Sequence, residues 1–132
     1  MILKTSFEEL DRVIDETEAF FSRFTDDEDL VQKIMLLTTE AVSNAIEHGN
    51  ALDETKSVIL EFVCGAKLLE VWVEDEGEGF DRSTVADPLS SDGLLQDGGR
   101  GIFLIEQLAD EVHYGNNGRR IGMKFGRQAR AS

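Results

Sequence analysis

The chain reads EAVSNAIEHGN over residues 40–50, at the end of a predicted helix. Glu40 and Asn44 are four residues apart, so on a helix their side chains lie one turn apart on the same side. A carboxylate can accept a proton from an attacking hydroxyl group, and an amide oxygen suits Mg²⁺, which takes few protein ligands and completes its shell with water and phosphate. Such residues on a helix more often form a solvated surface, so the pair alone leaves both interpretations open.

Residues 71–80 read VWVEDEGEGF, a strand that runs into an acidic turn containing glycines. Asp75 lies at the predicted end of the strand, where a buried carboxylate can accept a hydrogen bond from an exocyclic amine such as that of adenine. Gly77 and Gly79 would let the backbone approach a flat ring closely. The alternative is an ordinary Asp-Gly turn. A Rossmann fingerprint does not fit, because the third glycine is missing and a loop follows where a helix should.

A third stretch, Gly98-Gly99-Arg100-Gly101, opens a short apolar helix predicted over residues 102–109. Exposed backbone amides at a helix N-terminus, with no Cβ atoms to block approach, bind phosphate, and the helix dipole favours the negative charge. The sequence has no GxxxxGK[ST] motif and therefore no P-loop. Together the three stretches would supply a base with a metal ligand, a ring acceptor and a phosphate site.

The spacing of apolar residues predicts two helices after a short edge strand at residues 1–5. Ser6 fits the N-cap of the first helix, with Glu9 three residues later as in a capping box. This helix should end near residue 24, and its buried face should carry Phe7, Leu10, Val13, Ile14, Phe20, Phe21 and Phe24. A second helix should begin in the acidic turn at residues 26–29 and stop at Gly49.

The second half of the chain has the pattern of strands around one loop and one helix. The predicted elements are two central strands at residues 57–63 and 68–74, an irregular loop at 76–98, the helix at 102–109, and a closing hairpin of residues 111–114 and 119–125 about Asn116-Asn117-Gly118. So long a loop in a compact domain is usually functional or mobile, which favours a lid. The element order predicts the α+β class, a two-layer α/β sandwich whose mixed, mostly antiparallel sheet is covered on one face by helices.

The length and the charge of the chain limit the number of domains and the classes of partner that can be expected. The 132 residues fit one domain, residues 1–132, with a single core. The formal charge of −14 opposes the phosphate-led attraction on which general nucleic-acid binding relies, and no apolar run approaches the roughly 20 residues of a membrane span, so neither partner is expected. The one cysteine, Cys64, cannot form an internal disulfide, which indicates the cytoplasm.

The three stretches resemble the motifs of bacterial anti-sigma factor serine-protein kinases of the sporulation and general-stress switches. These belong to the histidine-kinase-like ATPase superfamily, which has the Bergerat-type fold. Residues 40–50 match its N-box in the form ExxxNAxxHG, residues 75–80 its DxGxGF box and residues 99–105 its second glycine box, in the right order. The resemblance spans essentially the whole chain, and the N-box form points to the anti-sigma branch.

The resemblance implies a role for each matching residue. Glu40 would be the general base or would position the attacking group, Asn44 would bind Mg²⁺, and Asp75 would accept the hydrogen bond from adenine. Residues about 81–98 would form the ATP lid. The residues implied in binding the cofactors ATP and Mg²⁺ are Asn44, His48, Asp75, Gly77, Gly79, Phe80, Gly99, Arg100, Gly101 and Ile102. Arg100 could equally form a surface ion pair, and a histidine placed like His48 more often packs or caps.

The resemblance also implies partners. In the family, Mg²⁺-ATP binds, a serine of a STAS-domain anti-anti-sigma protein attacks the γ-phosphate, and the kinase alternatively holds an RNA polymerase sigma factor inactive. The protein contributes positioning and charge neutralisation, as in phosphoryl transfer generally. A homodimer is a family expectation. The alternative function, from a different class, is a nucleotide-gated binding module that sequesters a partner without phosphorylating it.

Overall fold

A computed structural model of the chain describes residues 1–77 and 97–127, and of residues 97–100 the backbone only. The elements along these residues are β1 (Ile2–Lys4), α1 (Leu10–Phe21), α2 (Glu28–Asn44), β2 (Ser57–Cys64), β3 (Leu68–Glu74), α3 (Asp97–Leu108), β4 (Glu111–Gly115) and β5 (Arg120–Gly126). A 3₁₀ turn, Phe7–Glu9, precedes α1, and a π-helical turn, Ala45–Gly49, extends α2. The predicted element order and the α+β class are confirmed.

The described strands form one open sheet in the order β1-β2-β3-β5-β4, with every pairing antiparallel. β1 is an edge strand and both β2 and β3 are interior strands, as the sequence predicts. Side chains alternate across β3 because a strand has a period of two: Val71 and Val73 are buried, whereas Trp72 and Glu74 belong to the opposite, partly exposed face. One face of the sheet therefore packs on the helices and the other remains open.

The core lies between the buried face of the sheet and the helices. Its fully buried side chains include Phe21 from α1, Ile34 and Leu37 from α2, Ile105 from α3 and Phe125 from β5. Full burial of a side chain of this size contributes about 1.5–3 kcal/mol relative to exposure. Helix α2 contacts both α1 and α3, so it is the middle helix of the layer. In the described part of the chain, no helix has the length and apolar character needed to cross a bilayer.

The N-terminal helix differs from the prediction at both ends. α1 ends at Phe21 rather than near Phe24, and Ser6 caps the 3₁₀ turn Phe7–Glu9 instead of an α-helix. A 3₁₀ turn has 3.0 residues per turn rather than 3.6, so its residues leave the face that the α-helix buries. Phe7 is accordingly 46% exposed, and its assignment to the buried face is wrong.

Helix α3 begins at Asp97, so the glycine-rich stretch lies inside its first turns rather than ahead of it. The predicted start at residue 102 was late because glycine lowers the stability of a helix interior by about 1 kcal/mol relative to alanine. Of the lid predicted over residues 81–98, only Asp97 and Gly98 lie among the described residues, and both belong to α3. The rest of that range lies outside the described residues, as do Gly79 and Phe80.

Candidate functional site

The π-helical turn at the end of α2 carries the chain into the site. The Asn50 amide donates to the Ala45 carbonyl oxygen at 2.7 Å, and the Leu52 amide donates to the Ile46 carbonyl oxygen at 2.9 Å. Turns of this type inside helices are frequent at functional sites. The turn brings Gly49 and the residue after it against the end of β3.

The start of α3 packs directly on the C-terminal half of α2. A Cβ atom built on Gly101 would lie 2.8 Å from Asn44 Nδ2 and 3.0 Å from Glu40 Oε2. Distances this short leave no room for a side chain on Gly101 unless Glu40 and Asn44 move. The predicted base and metal ligand of the first stretch therefore meet the helix terminus of the third stretch.

The turn after β3 packs on the π-helical turn. A Cβ atom built on Gly49 would lie 2.2 Å from Asp75 Oδ2, and one built on Gly77 would lie 1.8 Å from the Gly49 carbonyl oxygen. The Gly77 amide also donates to Asp75 Oδ1 at 2.8 Å. The predicted ring acceptor of the second stretch is thus held between a glycine of the first stretch and a glycine of its own, and all three stretches converge at the end of α2.

Burial raises the pKa of the Asp75 carboxyl group, because its charged form loses hydration. The hydrogen bond from the Gly77 amide and the positive charge of Arg119 act in the opposite direction without cancelling the rise. A carboxylate in this state gains from any further hydrogen-bond donor that approaches it. An exocyclic amine is such a donor, so the electrostatics of Asp75 suits the role of a ring acceptor.

The Asn44 side chain has a buried hydrogen-bond donor that lacks an acceptor among the residues whose side chains are described. Its Nδ2 atom is buried and has no hydrogen-bond partner among residues 1–77 and 101–127, whose side chains the structure describes. Leaving a buried donor unsatisfied costs about 1–3 kcal/mol. A phosphate oxygen, or a water molecule bound to a metal ion, would satisfy this amide and remove the cost.

The donors beside Gly101 suit Mg²⁺. The Asn44 amide oxygen is a hard oxygen donor, and the Glu40 carboxylate, the predicted base, lies close to the same glycine. Among the described residues, no group of three or more His, Cys, Asp or Glu side chains could hold a metal ion. Mg²⁺ typically takes only one or two protein ligands and keeps water and phosphate in the rest of its shell. The residues present therefore fit a Mg²⁺ ion that arrives with a nucleotide.

The structure places the other predicted site residues as follows. Ile102 is 7% exposed and belongs to the core, so little of its side chain faces solvent. His48 is exposed, and its Nε2 atom lies 3.8 Å from the Glu47 carboxylate. Gly99 and Arg100 lie in the first turn of α3, where backbone amides are not satisfied within a helix.

Asn50 is a polar residue of the site that sequence analysis missed. It is 0% exposed, and its Oδ1 atom accepts a hydrogen bond of 2.8 Å from the amide of Glu76, which follows Asp75. It closes the stretch at residues 40–50 but received no role there. No local sequence signal reveals this role, because the side-chain partners of Asn50 lie 45, 7 and 26 residues away along the chain.

Gly101→Ala is expected to weaken ATP binding by about tenfold or more, equivalent to ~1.4 kcal/mol. Its Cβ atom would displace the ends of Glu40 and Asn44 from α3, whereas the free energy of unfolding should change by less than about 1 kcal/mol, because alanine favours a helix interior by about that amount and the displaced atoms are side-chain ends. Titration calorimetry and urea denaturation would measure the two effects. The matched control is Gly115→Ala, since a Cβ atom there meets no described atom closer than 3.9 Å. Unchanged ATP affinity in Gly101→Ala would contradict the assignment of this contact to the site.

Comparisons with known proteins show what this chain is similar to. The family model of the histidine kinase-like ATPase domain matches residues 3–125. Serine-protein kinase RsbW of Bacillus subtilis (strain 168) is 32% identical over 95 residues, 67% of this chain and 59% of its own length. Serine-protein kinase RsbW of Staphylococcus aureus (strain JH9) is 32% identical over 111 residues, 78% of this chain and 70% of its own length. The chain thus spans less than two thirds of the Bacillus subtilis relative.

Proposed function

Since this chain belongs to the family of histidine kinase-like ATPase domains, we propose that it binds Mg²⁺-ATP and transfers the γ-phosphoryl group to a serine of a protein partner. The matches confirm the resemblance to the anti-sigma factor serine-protein kinase family that the motifs predict. One observation carries the proposal: three separate stretches of chain meet at the end of α2, through Gly101 on one side and the contact between Gly49 and Gly77 on the other.

At the adenine end of the proposed site, Asp75 accepts a hydrogen bond from the exocyclic amine. The raised pKa of its carboxyl group supports this role, because the amine donates to a carboxylate that burial has deprived of hydration. Gly77 supports it too, since its amide fixes one carboxylate oxygen and its lack of a Cβ atom permits the contact with Gly49.

At the phosphate end, Asn44 would hold Mg²⁺ through its amide oxygen, and the first turn of α3 would direct backbone amides to the phosphates. Mg²⁺, when bound, supplies charge neutralisation at the transferred group. Glu40 accepts the proton of the attacking serine hydroxyl group, a role that needs its carboxylate within about 2.6–3.2 Å of that oxygen. Glu40 and Asn44 both lie close to Gly101, which supports a metal ligand and a base acting at the same phosphate.

The proposed partners are a STAS-domain anti-anti-sigma protein, which supplies the serine, and an RNA polymerase sigma factor, which the kinase holds inactive. We place the kinase and both partners in the cytoplasm, and we propose that the kinase forms a homodimer. Its support is the motif form and the likeness to serine-protein kinase RsbW. Ile2 of β1 and Ile59 of β2 are paired neighbours, 71% and 36% exposed, and they offer an apolar surface at the sheet edge to a protein partner.

Asn44→Ala is expected to lose the Mg²⁺-dependent thermal stabilisation that ATP gives the wild type. Ligand at about 100 times its Kd adds ~2.7 kcal/mol and raises the Tm by several degrees. Removing the amide takes away the proposed Mg²⁺ ligand, so ATP with Mg²⁺ should stabilise the variant no more than ATP without it. The matched control is Gln32→Ala, an exposed amide at the other end of α2. A cooperative melt of the wild type with no shift by nucleotide would contradict the proposed function.

Phosphoryl transfer is tested separately. STAS-domain proteins encoded in the same genome would be incubated with the wild type and Mg²⁺-ATP, and phosphoserine would be located by mass spectrometry. Phosphorylation of one of them supports the kinase. Stable capture of a partner with no phosphoserine after long incubation would select the nucleotide-gated binding module instead.

A further inference from the structure

We propose that Asn50 is a positioning residue for adenine recognition, which acts by fixing the backbone that carries Asp75. The inference rests on the proposed function, in which Asp75 accepts the exocyclic amine. Among the described residues no hydrogen bond joins Asn50 to Asp75 itself, so Asn50 would act through the peptide between Asp75 and Glu76, whose amide it accepts from. Its 0% exposure also places it beyond direct reach of a nucleotide.

The side chain of Asn50 is fully used in hydrogen bonds. Its Oδ1 atom accepts from the Glu76 amide at 2.8 Å, and its Nδ2 atom donates to Thr5 Oγ1 at 2.9 Å and to the Ser57 carbonyl oxygen at 3.0 Å. The Thr5 hydroxyl group donates in turn to the Lys56 carbonyl oxygen at 2.7 Å, so it can only accept from Asn50. These partners fix which end of the amide faces Glu76.

The hydrogen bond from Glu76 to Asn50 affects Asp75 because backbone hydrogen bonds hold the chain on both sides of the Asp75 Cα atom. The Asp75 amide donates to the Arg119 carbonyl oxygen at 2.9 Å, and the next amide, that of Glu76, donates to Asn50. The Gly77 amide then fixes the carboxylate through Oδ1. Loss of the bond from Glu76 would free one side of this arrangement, and the carboxylate would no longer be held where an exocyclic amine could reach it.

An amide is needed at this position for a physical reason. The Glu76 amide requires an acceptor at this buried position, and the Thr5 and Ser57 oxygens each require a donor hydrogen. Asparagine is the smallest side chain that supplies one acceptor and two donor hydrogens. An aspartate would keep the acceptor for Glu76 but would set a carboxylate oxygen against the Ser57 carbonyl oxygen. An alanine would remove the partner of the Glu76 amide and a donor to the Ser57 carbonyl oxygen, and the Thr5 hydroxyl group would keep only its bond to Lys56.

The experiment compares ATP with purine riboside triphosphate, which lacks only the exocyclic amine. Dissociation constants of both nucleotides with Mg²⁺ would be measured by titration calorimetry on the full chain, below the melting temperature of every variant. In the wild type the missing hydrogen bond to a charged acceptor should weaken binding about 10- to 100-fold. In Asn50→Ala the ratio of the analogue's dissociation constant to that of ATP should fall to within about threefold of unity, because ATP loses affinity and the analogue does not.

Thr5→Val is the matched control, since it removes another hydrogen bond of the same buried cluster but leaves the bond between Asn50 and Glu76 in place. It should lower stability and keep the wild-type ratio. If Asn50→Ala does not fold, Asn50→Ser is read by the same criteria, because its hydroxyl group is too short to reach the Glu76 amide.

The outcomes separate this inference from the proposed function. A wild type that binds both nucleotides equally well would contradict the role of Asp75 in adenine recognition. A wild type that discriminates, together with an Asn50 variant that keeps the full ratio, would overturn the positioning role alone. An equal loss of the ratio in Thr5→Val would overturn it too, since the effect would then follow from stability.

Discussion

Asp75→Asn is expected to weaken ATP binding by about 100-fold or more and, at neutral pH, to make the unliganded protein more stable. An asparagine would keep an oxygen for the Gly77 amide, which turns its NH₂ group toward the amine of adenine, so two donors would face each other. The same change removes a charge that burial disfavours. Titration calorimetry and urea denaturation would measure the two opposite effects.

The stability gain of Asp75→Asn should depend on pH in a defined direction. Because burial raises the pKa of Asp75 in the folded protein, the folded state binds the proton more tightly than the unfolded chain does. The stability from this protonated group is complete below the unfolded pKa and is lost as pH rises through the raised folded pKa. The advantage of Asp75→Asn over the wild type should therefore develop across that window and stay constant above it.

Asp53→Asn is the matched control for this prediction. Hydrogen bonds from Thr55 lower the pKa of Asp53, so its contribution to stability is present above the unfolded pKa and is lost as pH falls through the folded pKa. The control should keep ATP affinity and should show no gain in stability at neutral pH. ATP affinity of Asp75→Asn within about threefold of the wild type would contradict the assignment of Asp75 as the adenine acceptor.

Sequence periodicity was sufficient for the element order because the signals involved are local. The alternation along β3 and the turn at residues 116–118, where Asn116, Asn117 and Gly118 have φ values of 51°, 58° and 86°, both follow from neighbouring residues. The errors arose where a local pattern allows two geometries. Phe7 fits a helical face, but the 3₁₀ turn moves it into solvent, and the glycines before residue 102 concealed the first turns of α3.

The site was predictable only in part for the same reason. The proximity of Glu40 and Asn44 follows from their spacing on one helix. The contact of Gly101 with both, and that of Gly77 with Gly49, join residues far apart in the chain, and no local pattern contains them. The role of Asn50 depends on three partners, Thr5, Ser57 and Glu76, that lie in separate parts of the chain, which is why the stretch that it closes did not reveal it.

Glu40→Gln is expected to reduce phosphoryl transfer about 10²- to 10⁴-fold and to leave ATP affinity nearly unchanged. Glutamine has almost the shape of glutamate, so it should fit in the contact with Gly101, but its amide cannot accept the proton of the serine hydroxyl group. Transfer would be measured in single turnovers on a STAS-domain acceptor that the wild type phosphorylates, and affinity by titration calorimetry with Mg²⁺-ATP.

Glu47→Gln provides the matched control, because Glu47 lies in the π-helical turn that extends the same helix, with its carboxylate 3.8 Å from His48 Nε2. It should transfer phosphate at the wild-type rate. Loss of ATP affinity and transfer together in Glu40→Gln would identify Glu40 as a residue that holds the site together, since a general base contributes to the rate and not to nucleotide binding. Full transfer by Glu40→Gln would contradict the role of Glu40 as the base, because the serine proton would then leave by a route that does not need this carboxylate.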